Sequence, residues 1–277
     1  MKRLYRIVIC CVILCFPWTH AVQASTTITA TIFPLYEIAR IIAPGARIHL
    51  LIPPGISPHH FEPSFKDFRW LYESDLILGV GTESWLLKNP ELAAKSLLLS
   101  GGRPVENPHL WLDLDLLSQF AENLARRLAQ LEPEKAPLYE QNKSLILRNI
   151  TSLKRELRTL SECSRKREVI IIGHAALQKF LREAGLREIA LAGPHPESEV
   201  PPEKLKKILT LVREKHIRVA FLLDPVFRKY ALIFKNEADI EILTLNPGLP
   251  LFKEDRHLSF FELLHKNIVN LRKGLCR

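Results

Sequence analysis

The chain has 277 residues, 47% hydrophobic and 25% charged, with 39 Lys+Arg against 30 Asp+Glu and a formal net charge of +9. That much apolar material excludes a disordered chain, and five cysteines are too few for a disulfide-built miniprotein. The length accommodates one large domain or two smaller ones.

In residues 1–24, Lys2, Arg3 and Arg6 lead into an apolar run from Ile7 to Trp18, and Val22-Gln23-Ala24 ends on a small residue. The run is too short to span a bilayer comfortably. The pattern is that of a secretory signal peptide, with cleavage expected after Ala24 and a periplasmic mature chain. A retained anchor is the competing reading, and Leu14 before Cys15 is too bulky for lipoprotein processing. Cleavage removes three of the 39 positive charges and none of the 30 negative ones, leaving +6. The only basic run is Arg165-Lys166-Arg167, so there is no nucleic-acid footprint. Cys10, Cys11 and Cys15 leave with the signal. Cys163 and Cys276 remain, a pair that an oxidising compartment can join or leave as two thiols.

Thr26 to Phe33 predicts a first strand, Leu35 to Ile42 a helix, and Arg47 to Ile52 a second strand ending at Pro53-Pro54-Gly55. Ser64 and Asp67 form a capping box for a helix to about Glu73. Asp75 to Gly81 is a third strand. Pro133 to about Glu162 carries Leu138, Leu145, Ile146, Ile150, Leu153, Leu157 and Leu160 at helical spacing, a rod of about 40 Å. Beyond it, strands are expected at Val169–Gly173, Glu188–Ala192, Val219–Leu223 and Glu241–Leu245. Helices are expected at Ala175–Ala184, closed by Gly185, and at Pro202–Lys215, Tyr230–Asn236 and Phe260–Arg272. Alternating strands and helices define an α/β fold with parallel sheets. The expected architecture is two Rossmann-like lobes, 25–132 and 165–277, joined by one long rigid helix over 133–164. A single α/β domain with the helix packed across its sheet is the competing architecture.

Nine histidines follow residue 24, and none belongs to a short zinc motif such as HExxH. His59-His60 follows the second strand, His109 follows Asn107-Pro108, and His174 follows the strand 169–173 directly. Ligands in open α/β sheets bind beyond the carboxyl ends of strands, and imidazole suits zinc and other late first-row ions. His49, His216, His257 and His265 read as structural or solvated, and His195, between Pro194 and Pro196, as a loop residue.

These segments resemble the metal-binding subunits of bacterial ABC importers for zinc and manganese, the ZnuA/TroA/PsaA-like group. Ala30-Thr31-Ile32-Phe33-Pro34-Leu35 is similar to that family's first strand and turn. Pro54-Gly55-Ile56-Ser57-Pro58-His59-His60-Phe61-Glu62-Pro63-Ser64 is similar to its first metal loop. Asn107-Pro108-His109-Leu110-Trp111-Leu112 is similar to the second, and Gly173-His174 to the third. Glu199-Val200-Pro201-Pro202 resembles the element that opens a later helix. The resemblance implies the cluster A-I fold, and His59, His109 and His174 as metal ligands. It also implies a divalent metal as cargo, an ABC transporter membrane permease as partner, and a monomer without enzymatic activity.

Where the family often has a carboxylate ligand, this chain has Asn246, so the fourth position stays open between Asn246, Asp224, His60 and water. Three histidines without a carboxylate lean towards Zn2+ over Mn2+ or Fe2+. The long His/Asp/Glu-rich loop of many zinc members is absent, with only Leu97 to Val105 in its place. A zinc-dependent hydrolase is the competing function; Glu62 would be its nearest general base in sequence. A surface adhesin would need an exposed apolar or repeat-rich patch, which the sequence does not carry. Three imidazoles of ordinary pKa imply an affinity that falls steeply below about pH 6.

Overall fold

A computed structural model describes residues 25–163, 167–195 and 200–276. Residues 1–24, the expected signal peptide, and Arg165, Lys166 and Glu199 lie outside the described residues.

The first half runs β1 (Thr27–Ala30), α1 (Phe33–Ile42), β2 (Arg47–Leu50), α2 (Phe65–Glu73), β3 (Leu76–Gly79), α3 (Ser84–Leu87), α4 (Pro90–Ala94) and β4 (Ser96–Leu98). Two long helices follow, α5 (Leu114–Leu131) and α6 (Ala136–Cys163). The second half runs β5 (Glu168–Ile172), α7 (Gln178–Arg182), β6 (Arg187–Ala190), α8 (Pro202–Glu214), β7 (Val219–Leu222), α9 (Arg228–Ala238), β8 (Glu241–Thr244) and α10 (Phe260–Leu275).

The strands form two four-stranded parallel sheets, β2-β1-β3-β4 and β6-β5-β7-β8. Each sheet therefore reverses direction beside its first strand, which opens a crevice at the carboxyl ends. β3 and β7 are buried along their whole length, as parallel strands covered on both faces must be. That explains their unbroken apolar sequences, Leu76-Ile77-Leu78-Gly79 and Val219-Ala220-Phe221-Leu222.

α6 has 28 residues, about 42 Å at the α-helical rise. It buries Tyr139, Ile146, Ile150, Leu153, Leu157 and Leu160, spaced by sevens, fours and threes along one stripe. Leu138 and Leu145, expected on that stripe, are 42% exposed; Tyr139 takes the place between them. The helix packs against α1, α5 and α10, so one apolar core runs from the first sheet through α6 into the second. Each large side chain buried there contributes about 1.5–3 kcal/mol. Pro133–Lys135 forms a separate 3-10 turn before α6. Cys163, at the end of α6, is disulfide-bonded to Cys276 after α10.

Several elements differ from expectation; α3, α4 and β4 have no expected counterpart. α5 has no expected counterpart, yet it buries Leu114, Leu117, Ala121, Leu124 and Leu128 at helical spacing, and the Asp113 side chain caps it. α7 is shorter than expected, and the Ala176 and Leu177 N–H groups just before it donate to Glu188. α9 extends two residues past Asn236, to Ala238, and stops where Asp239 turns left-handed at φ 48°. The Ser64–Asp67 capping box is present with both reciprocal bonds.

Candidate metal centre

His59 sits in the 3-10 turn Pro58–His60 that follows β2, and the Ser57 hydroxyl accepts its N–H at 3.5 Å. His109 lies between β4 and the 3-10 turn Leu110–Leu112. His174 stands two residues beyond β5. Gly173, just before it, passes close to β7: a Cβ there would stand 2.8 Å from the Leu223 Cβ. Gly173 is thus a steric requirement of the β5–β7 crevice, and it sets His174 at the strand's exit.

The three imidazoles converge. His59 Nε2 lies 3.2 Å from His109 Nε2, and His174 Nε2 lies 3.0 Å from it. The ring centroids are 5.0, 5.3 and 4.9 Å apart. Nitrogens bound to one tetrahedral zinc at about 2.05 Å lie about 3.3 Å from each other. The cluster therefore needs only slight expansion to hold an ion. Among the described residues, it is the group of His, Cys, Asp and Glu donors that can share a metal. His109 and His174 are buried, at 2% and 3% exposure, and His59 is half-buried.

Asn107 fixes the chemistry of His109. Its Oδ1 accepts the His109 backbone N–H at 3.1 Å and pairs with His109 Nδ1 at 2.7 Å. Its Nδ2 donates to the Ala175 carbonyl at 3.1 Å, which settles the amide orientation. Nδ1 must then carry the proton, leaving the Nε2 lone pair aimed at the cluster. The same amide ties the His109 loop to the residue after His174. Trp111 makes a second tie, donating from Nε1 to the Pro247 carbonyl at 2.6 Å while its ring lies 5.2 Å from that of His109.

Two carboxylates brace the loops. Glu188 accepts from Ala176 and Leu177 N–H at 3.2 and 3.0 Å, which holds the turn after His174. Burial raises its pKa to about 7. Glu83 accepts from the Thr31 hydroxyl and from the Val80, Gly81 and Thr82 N–H groups, at 2.7–3.0 Å. Sequence reading singled out neither, because nothing local in the chain pairs Glu188 with a turn eleven residues upstream.

Burial dominates the electrostatics. It lowers the His174 pKa to about 3, assisted by His59 and His195. It lowers His59 to about 4, assisted by His195 and His60. His109 falls well below its ordinary value, through burial and then His174, His59 and His195. All three are neutral at neutral pH, and burial moves the expected loss of metal affinity to a lower pH than ordinary imidazoles would give.

The candidates for a fourth position fare differently. Asp224 accepts the Val226 N–H at 2.9 Å as an N-cap. His60 is exposed. Asn246 is buried, with its N–H and C=O both paired to the Asn267 side chain and its Nδ2 donating to Asp255 at 3.3 Å. Its Oδ1 is buried without a partner.

Two parallel sheets linked by a long helix, with imidazoles converging between them, are the architecture of a two-lobed solute-binding protein. The chain belongs to the ZnuA family: the family model described as "Zinc-uptake complex component A periplasmic" matches residues 28–274. It is 24% identical to the high-affinity zinc uptake system protein ZnuA of Bacillus subtilis, over 90% of this chain and 87% of that protein. It is also 24% identical to the zinc-binding lipoprotein AdcA of Streptococcus pneumoniae, over 89% of this chain but only 55% of AdcA. In structure it is similar to the laminin-binding protein Lmb of Streptococcus agalactiae, described as a bifunctional protein with adhesin and metal transporting activity. The TM-score there is 0.80 at 22% identity, covering 90% of this chain and 99% of that one.

Proposed function

We propose that this protein captures zinc outside the cytoplasm and delivers it to the membrane permease of an ABC importer, with His59, His109 and His174 as ligands. The observation that carries this reading is the convergence of three Nε2 atoms, two at 3.0–3.2 Å from the third. His59 and His109 belong to the lobe 25–132 and His174 to the lobe 165–277, so a bound ion bridges the two, with 133–164 as the connecting helix. An all-imidazole donor set without a carboxylate favours zinc over manganese or ferrous iron.

The protein does no chemistry on its cargo, acts as a monomer and binds no nucleic acid. It is exported to the periplasm by the segment 1–24, with cleavage after Ala24. Because the ligands are neutral over the ordinary pH range, protonation does not drive release. Movement of the loops that carry His59 and His109, or a small shift between lobes, is left to do so at the permease.

The test is metal analysis of protein purified without added metal, followed by competition between zinc and manganese. Zinc should be retained and should displace manganese, and His109→Ala should abolish retention. Preferential manganese binding would overturn the assignment. Hydrolysis of ester or phosphate substrates that is lost in His109→Ala would favour an enzyme.

A further inference from the structure

Three imidazoles leave a tetrahedral ion one ligand short. Beside them opens a cavity of about 160 Å³, whose polar lining includes Glu62, Thr82, Glu83 and His195 along with His59. Glu83 is fully engaged by four donors. Asn246 does not line this cavity, and its amide is held by Asp255. Glu62 lines the cavity as well and is the carboxylate alternative.

His195 does face the cluster. Its ring centroid lies 6.1 Å from that of His59, edge-on at 83°. Two imidazoles bound through nitrogen to one tetrahedral zinc have centroids about 5.3 Å apart, the spacing that His59, His109 and His174 already show at 4.9–5.3 Å. Closing by about 1 Å on His59, together with a swing towards His109 and His174, would bring His195 to that spacing; as it stands, its nitrogens lie outside the group within 4.8 Å that the other three form. His195 is exposed and lines the cavity.

We propose that His195 is the fourth zinc ligand and completes an all-imidazole site from the rim. The inference rests on the function proposed above. Each lobe then supplies two ligands, from segments that follow β2, β4, β5 and β6. His195, as the outermost of the four, is the ligand that meets an incoming ion first and leaves last.

The experiment uses the full mature chain with 15N-labelled histidines. Long-range 1H–15N spectra are recorded before and after one equivalent of zinc, with His195 assigned from His195→Gln. Chelator competition gives zinc affinities for wild type, His195→Ala, His109→Ala and Glu62→Gln, and melting of the metal-free variants reports their folding. The expected result is a metal-bound nitrogen shift at His195 and an affinity about tenfold to a hundredfold weaker in His195→Ala, with Glu62→Gln unchanged. If His109→Ala loses zinc while His195→Ala stays within twofold of wild type and its resonances do not move, the fourth-ligand proposal is overturned and the three-imidazole site stands. A loss confined to Glu62→Gln gives the position to a carboxylate and also overturns it. If folded His109→Ala binds like wild type, the underlying site is wrong.

Discussion

Acidification from pH 7.5 to 5 separates two accounts of the same three ligands. With an ordinary imidazole pKa of about 6.5, each ligand would be about 97% protonated at pH 5, and the three together would weaken zinc binding by about 10⁴-fold. In the structure, burial holds His59 at about 4 and His174 at about 3, with His109 also far below its ordinary range. At pH 5 about a tenth of His59 and about a hundredth of His174 would then be protonated. The expected loss of affinity is therefore under about threefold, with the steep fall beginning near pH 4. Zinc calorimetry at pH 7.5, 6 and 5, corrected for buffer protons, measures this directly. A loss above a thousandfold by pH 5 would refute the argument from burial.

The sign for folding is opposite in consequence. Histidines with depressed folded pKa values stabilise the fold above about pH 6.5, and that stability declines as pH falls towards about 4, because the unfolded chain takes up protons that the folded chain refuses. Metal-free protein should therefore melt at a progressively lower temperature over this window. A flat melting curve would show that the imidazoles are better solvated than the packing indicates.

Replacing Asn107 with Ala removes the acceptor for His109 Nδ1–H and the tie to the Ala175 carbonyl; zinc affinity should fall about tenfold to a hundredfold, read by chelator competition, and an unchanged affinity would refute the orienting role. Asn246→Asp should destabilise the metal-free protein by roughly 2 kcal/mol or more, because it exchanges the Nδ2–Asp255 bond for a buried like-charge pair; a melting temperature equal to wild type would count against it. Paired serines at Cys163 and Cys276 free a loop whose ends are 113 residues apart. The expected cost is up to about 5 kcal/mol from unfolded-chain entropy, measured by urea unfolding under identical conditions; a shift below 1 kcal/mol would refute the entropic account.

Much of the fold was legible because it is local. Unbroken apolar runs such as Val169-Ile170-Ile171-Ile172 mark strands buried on both faces, and the Ser64–Asp67 capping box marks a helix start without reference to anything distant. The expected strands cover seven of the observed ones in order, from β1 to β8 apart from β4. The positions of His59, His109 and His174 after strands or in loops made them candidates, and resemblance to a family selected them from nine. Their convergence is a different kind of fact. His59 and His109 are separated by 50 residues and His109 and His174 by 65, so only the packing of loops that follow β2 and β4 of one sheet against the loop that follows β5 of the other brings their nitrogens together.

The same division explains what sequence could not supply. His195 read as a loop residue between prolines, since nothing in its neighbours shows that its ring faces His59. Glu188 read as a strand residue, although it holds the turn after His174. The pKa values carried no sequence signature at all, because desolvation is a property of what packs around a ring and not of the ring itself. The amino-acid sequence determined most of the strands and helices, the candidate ligands and the family. Tertiary structure decided which nitrogens meet, which tautomer His109 holds, and that protons scarcely compete for the site, because burial and long-range contacts arise only once the two sheets close on one another.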